Sequence, residues 1–189
     1  MSAPGDERLG PGCLVLVVGP SGAGKDTLMA IAATMLRARP RIMFGRRIVT
    51  READGSEDHD SLTLDAFDAA EARGDFALAW RAHGHGYGVP REAARRLETG
   101  DTVVFNVSRA VIGAARARFA RVRVVYVTAP SDVLASRLQA RGRDGDIASR
   151  LARADEMPRP DGADLVIENV GDRDANAGIL AAFLTTTLL

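Results

Sequence analysis

Gly19-Pro20-Ser21-Gly22-Ala23-Gly24-Lys25-Asp26-Thr27 places three glycines just ahead of a lysine. Glycines at that spacing let the backbone curl until successive N–H groups point inward, which makes a concavity for anions. A helix starting at Lys25 adds partial positive charge, and the lysine adds a slim ammonium that fits between phosphates. The pattern reads as a cradle for the phosphates of ATP, with Lys25 following the charge as a phosphoryl group is transferred. Composition adds weight to this position, because Lys25 is the only lysine among 25 lysines and arginines. Asp26 stands where such loops ordinarily carry a hydroxyl, and Thr27 supplies one a position late. A carboxylate beside phosphates is repelled unless it faces a metal or water, so Asp26 and Thr27 are candidate Mg²⁺ ligands. The alternative is an ordinary first-turn carboxylate favoured by the helix dipole.

These groups need a strand to deliver the loop and a helix to receive it. Cys13 to Val18 is a continuous apolar run, expected to be a strand buried on both faces. Lys25 to Arg39 carries helical periodicity that Pro40 stops. Ile42 to Val49 is a second strand candidate, Glu52 to Asp60 a polar loop and Leu64 to Arg73 a short helix. Phe76 to Trp80 and the stretch up to Tyr87 suggest short strands around a turn, followed by a helix from Pro90 to Glu98. Strands at Thr102–Val107 and Val122–Thr128 then alternate with helices ending near Ala120 and Arg141. A further helix to about Glu156, a strand over Asp164–Val170 and a helix over Ala175–Leu188 complete the chain. Alternating strand and helix implies α/β architecture, a parallel sheet with helices on both faces. Residues 50–90 break the rhythm and are expected to be an inserted acceptor-binding subdomain.

The bulk properties narrow the function. A length of 189 residues suits one α/β domain, here expected over 13–189, and the formal net charge of zero offers no field for nucleic acid or an anionic membrane. No apolar run approaches the roughly 18 residues that span a bilayer. Residues 1–12 read as a short disordered lead-in and not as a signal peptide. The single Cys13 fits a reducing cytoplasm and a buried structural thiol. His59, His83 and His85 lack metal-ligand partners at zinc-site spacing.

The order of motifs resembles guanylate kinase and its nucleoside-monophosphate kinase relatives from Leu14 to Leu189, implying a P-loop fold of that type. Val49-Thr50-Arg51 sits at that family's acceptor-phosphate motif, and Gly74-Asp75-Phe76 through Tyr87-Gly88 matches the stretch ending in its acceptor-facing tyrosine. Arg137, Arg141, Arg150 and Arg153 fall at the arginines of a lid, about 137–157, that closes over the γ-phosphate. Asn169 falls near the adenine site. The departures bear on the acceptor. Leu78 occupies the position of the guanine-binding glutamate, His59 replaces an acceptor-side tyrosine, and Asn106-Val107-Ser108-Arg109 replaces the acidic end of the central strand.

Together with Gly55-Ser56-Glu57-Asp58-His59 and Asn106 to Ala110, these features resemble a narrower family, the ribose 1,5-bisphosphate phosphokinases of phosphonate degradation. That resemblance implies transfer of the ATP γ-phosphoryl to the 1-phosphate of ribose 1,5-bisphosphate, giving phosphoribosyl diphosphate (PRPP) and ADP, with Mg²⁺. It implies Lys25, Arg141 and Arg150 as catalytic, residues 19–27 and Asn169 as ATP contacts, and Arg51, His59 and Tyr87 on the acceptor; Arg109, at a strand's carboxyl end where ligands of open α/β sheets sit, is a candidate for a further acceptor-phosphate contact. Trp80 is expected to pack, since a bare sugar offers no base to stack on. The alternatives are a nucleoside-monophosphate kinase with an altered base site, or a non-catalytic binding module of the same fold. Oligomeric state stays open.

Overall fold

The structure is a computed structural model and describes residues 8–51, 59–82, 84–140, 160 and 162–188. Its first strand, β1 (Leu9–Val18), shows why the chain folds as layers. Cys13, Val15 and Val17 enter one hydrophobic cluster, while Leu14, Leu16 and Val18 enter another on the opposite face. Both sides of the strand are thus closed to water, and each such side chain contributes about 1.5–3 kcal/mol of burial. The strand starts four residues earlier than the sequence suggests. Leu9 pairs with Phe119, and an irregularity between Leu9 and Cys13 lets the ladder resume at Arg121, so residues 9–12 belong to the sheet.

Helix α1 (Lys25–Met35) follows the glycine loop, and β2 (Ile42–Phe44) follows α1. The single strand expected over Ile42–Val49 is two strands in two sheets. β2 pairs with the later strand β7 (Thr102–Asn106), whereas β3 (Arg47–Val49) leaves for the second sheet. Gly45 is the exit: its N–H donates to the Val104 carbonyl at 2.9 Å, and a Cβ there would run into the Phe105 ring.

The second sheet holds β3, β4 (His59–Ser61), β5 (Phe76–Ala82) and β6 (His85–Pro90), in the order β4-β3-β6-β5. β4 corrects the polar loop expected up to Asp60, because His59 and Asp60 pair in parallel with Arg47 and Ile48. Helix α2 (Leu64–Ala72), capped by Thr63 Oγ1 accepting from Ala66 N, covers one face of this sheet. Its Phe67 stacks on Phe76 at 4.6 Å between centroids, and Gly86 and Gly88 lie flat against those two rings.

The remaining elements are α3 (Glu92–Glu98), β7, a 3₁₀ turn (Arg109–Val111), α4 (Ile112–Arg118), β8 (Phe119–Thr128), α5 (Ser131–Ala140), β9 (Leu165–Glu168) and α6 (Arg173–Thr185). The main sheet is parallel in every described pairing and runs β2-β7-β1-β8-β9. Leu28 and Ala32 of α1 and Leu180 and Leu184 of α6 pack on one face. Leu97 of α3, Ala115 of α4 and Leu78 of β5 pack on the other. β1 lies centrally, so the loop leaving its carboxyl end is flanked by the ends of β7 and β8. Residues 141–159, which hold Arg141, Arg143, Arg150, Arg153 and the helix expected to Glu156, lie outside the described residues.

Candidate active site

Three glycines shape the loop after β1. Gly19, Gly22 and Gly24 have φ of +147°, +85° and +87°, values that side-chain-bearing residues rarely adopt. A Cβ at Gly19 would strike the Val127 carbonyl of β8, and one at Gly24 would strike the Asn169 amide. The loop therefore lies against β8 and the end of β9 with no room for side chains. Gly24 also begins α1, and no side chain caps that helix. By contrast, Asp172 caps α6 through the Asp174 and Ala175 N–H groups. The first N–H groups of α1 and its positive dipole end are left for an anionic partner.

Lys25 lies along the loop and donates from Nζ to the carbonyls of Gly19 and Pro20, each at 2.9 Å. Asp26 accepts on Oδ1 from Asn106 Nδ2 at 2.7 Å, which joins the first turn of α1 to the end of β7. Asn106 is 7% exposed. Asp26 and Thr27 offer a carboxylate and a hydroxyl, the hard oxygen donors that Mg²⁺ selects. One or two protein oxygens suffice for a Mg²⁺ that also takes phosphate oxygens and water, so this donor set fits.

Asn169, expected near the adenine, is bonded to the phosphate loop itself. Its side chain is buried and donates from Nδ2 to the Ala23 carbonyl at 2.7 Å, while Oδ1 accepts from Asn176 Nδ2 at 3.2 Å. It holds the loop from behind. Arg137, which falls at a lid arginine of the resembled family, is a second brace. It donates from Nη2 to the Asn169 carbonyl at 2.9 Å and from Nη1 to the Gly22 carbonyl at 3.4 Å. Neither contact was legible in the sequence, since the partners are 32 and 115 positions apart.

The acceptor-side candidates lie largely on the second sheet. Tyr87 pairs with Val49 and Trp80 across β6, and its ring stacks on Trp80 at 5.3 Å and 9°. Trp80 also packs on the cluster that contains Leu78, Val107 and Tyr126. Leu78 is 6% exposed within that cluster, so the position of a base-binding carboxylate is an alkyl group in the core. Thr50 is tied to the hairpin, its Oγ1 accepting from Gly86 N at 2.8 Å and its N–H donating to Gly86 O at 3.0 Å. Arg51 follows, and its carbonyl accepts from Ser61 Oγ at 2.8 Å.

His59, expected at the acceptor, is 2% exposed in the β3–β4 pair. Its Nε2 lies 3.4 Å from the Arg51 carbonyl, so it props the segment carrying Arg51. Arg47, two residues before Val49 on β3 and also buried, is a cation the sequence did not single out. Arg109 sits in the turn after β7 with its guanidinium 5.9 Å from the centre of the Tyr126 ring, at a strand's carboxyl end as expected.

A parallel sheet, a glycine loop at its central strand and an uncapped helix behind that loop define a P-loop phosphotransferase. The solved guanylate kinase of Anaplasma phagocytophilum aligns over 97% of this chain and 88% of its own at a TM-score of 0.65 and 19% identity, which establishes the fold. Among curated relatives, the ribose 1,5-bisphosphate phosphokinase PhnN of Rhodopseudomonas palustris is 54% identical over 171 residues, covering 89% of this chain and 86% of that one. Its namesake in Methylobacterium radiotolerans is 51% identical over 176 residues, covering 92% and 98%. No family model matches the chain. At that identity and coverage, the chain belongs to the ribose 1,5-bisphosphate phosphokinase PhnN family.

Proposed function

We propose that the chain transfers the γ-phosphoryl of ATP to the 1-phosphate of ribose 1,5-bisphosphate, giving PRPP and ADP, within phosphonate catabolism. The observation that carries this reading beyond family membership is Leu78, buried in the core at the place where a nucleotide acceptor would need a carboxylate. An alkyl group there leaves guanine N–H donors unpaired, at about 1–3 kcal/mol for each buried group. A sugar bisphosphate makes no such demand.

In the transfer, an oxygen of the acceptor phosphate forms a bond to Pγ, and the bond from Pγ to the bridging oxygen of ADP breaks. The nucleophile is already anionic, so no general base is required, and the protein's work is alignment and charge neutralisation. The loop N–H groups and Lys25 hold the β- and γ-phosphates. Asp26 and Thr27 would hold Mg²⁺, whose chemical contribution is to neutralise charge shared by those phosphates. Arg51, Tyr87 and Arg109 are assigned to the acceptor, with His59 acting through Arg51. Arg141 and Arg150 are assigned to a lid that excludes water. The reaction is placed in the cytoplasm, where ATP is supplied. Among the described residues no helix is long and apolar enough to cross a membrane.

The test is ADP release with ribose 1,5-bisphosphate against a panel of nucleoside monophosphates. Ribose 1,5-bisphosphate should be turned over fastest, and faster turnover of GMP would overturn the assignment.

A further inference from the structure

We propose that Asn106 is a positioning residue for metal: its amide orients Asp26 so that this carboxylate meets the ion bound with ATP. The inference rests on reading the loop as an ATP·Mg²⁺ site and is independent of the acceptor's identity. Asn106 is the last residue of β7 and pairs in register with Val17, two residues before the glycine loop begins. Its Nδ2 reaches across to Asp26 Oδ1 at 2.7 Å. Asp26 follows Lys25, so its carboxylate lies where phosphate charge is gathered.

An amide N–H₂ can only donate, so its bond to Oδ1 fixes the carboxylate in one orientation. Oδ1 is thereby engaged, and Oδ2 takes no hydrogen bond among the described residues. A carboxylate fixed this way beside phosphates would repel them unless a cation lay between. The pair also divides labour in a way a strand-end acid would not. In other P-loop enzymes an aspartate at a strand end helps hold the metal. Here the strand end supplies a neutral donor, and the charge comes from the helix. Groups that orient a metal-binding carboxylate typically change affinity about 10–100-fold when removed. A purely structural role would instead loosen the loop for every ligand alike.

The experiment measures Mn²⁺ binding to the full chain by electron paramagnetic resonance, with a non-hydrolysable ATP analogue and no acceptor. Wild type, Asn106→Ala, Asp26→Asn and the double variant are compared, and metal-free analogue binding in EDTA is measured for each. Asp26→Asn and Asn106→Ala should each weaken Mn²⁺ affinity about tenfold or more. Metal-free analogue affinity should fall in neither variant, and in Asp26→Asn it should rise as the repulsion of the phosphates is lost. In the Asp26→Asn background, Asn106→Ala should add nothing, because it acts only through that carboxylate. Additive effects in the double variant would overturn the proposal. So would equal losses with and without metal, or unchanged Mn²⁺ affinity in either single variant. If Asn106→Ala does not fold, Asn106→Leu, close in size and without a donor, gives the same comparison and should show the same non-additivity. Since no phosphoryl transfer occurs in this assay, failure of ribose 1,5-bisphosphate as a substrate would leave the result standing.

Discussion

Replacing Asn169 tests whether the phosphate loop is held from behind by a single amide. In Asn169→Ala the Ala23 carbonyl loses its donor at 2.7 Å and stays in a region where Ala23 is 0% exposed. An acceptor left buried without a partner costs about 1–3 kcal/mol. Loss of the Asn176 contact adds little, because Asn176 Nδ2 still donates to the Val170 carbonyl at 2.9 Å. The Arg137 contact survives, since it is made to the Asn169 backbone. A domain of this size loses about 2–4 °C of Tm per kcal/mol, so scanning calorimetry should show a fall of about 2–12 °C. ATP KM should rise as the loop relaxes away from its N–H-inward shape. Asn169→Asp sharpens the test, because its carboxylate would face the Ala23 carbonyl with no proton to give. It should be less stable than Asn169→Ala despite its closer match in size. An aspartate variant as stable as the alanine variant would refute the claim that Nδ2 donation to Ala23 fixes the loop.

Lys25→Met should lower kcat by about 10²–10³ while Tm moves little, since the ammonium's own bonds are two part-buried contacts to carbonyls of the adjoining loop. Steady-state kinetics and calorimetry check both halves. Gly24→Ala should cost at least about 1 kcal/mol and weaken ATP binding, because φ is +87° and the new methyl meets the Asn169 amide. Denaturant titration reads the loss. Leu78→Glu should not create a GMP kinase; it buries a carboxylate among apolar side chains, and the measured outcome should be a lower Tm with no gain in GMP turnover. Burial pushes the Cys13 thiol above its ordinary value. The unfolded thiol then ionises first, so stability falls as pH rises past about 8.5, and Cys13→Val should flatten that part of the profile. Native Cys13 should also resist a thiol reagent at pH 8 and react on unfolding.

The donor half of the site could be read in the sequence because it is local. One strand, one loop and one helix turn carry its chemistry within residues 13–27, and the apolar run, glycines and lysine each have one reading. The acceptor half is assembled from distant strands, and its errors have physical causes. Ile42–Val49 is interrupted only by Gly45-Arg46-Arg47, and the pairing of its two halves with different, distant strands is what shows that it splits between sheets. His59 reads as a polar loop residue because its neighbours are charged. Parallel pairing with Arg47 buries it, and composition does not encode which strand will be next to it. Asn106 reads in the sequence only as a departure at a strand end, and its partner Asp26 lies 80 positions away.

The braces on the loop also explain why a glycine-rich turn behaves here as a fixed receptor. Positive φ at Gly22 and Gly24 permits the inward N–H geometry but does not select it, because glycine is about as content elsewhere. Selection comes from outside the loop: Asn169 on the Ala23 carbonyl and Arg137 on that of Gly22. Each engages a carbonyl, and turning the Ala23 carbonyl toward Asn169 turns the Gly24 N–H of the same peptide the other way, while the Ala23 N–H closes the turn on the Pro20 carbonyl at 3.3 Å. The contact that engages the Ala23 acceptor therefore presents the Gly24 donor. That coupling ties stability to phosphate binding, so variants at Asn169 and Arg137 should lose Tm and ATP affinity together, whereas Lys25 variants should lose transfer rate without stability.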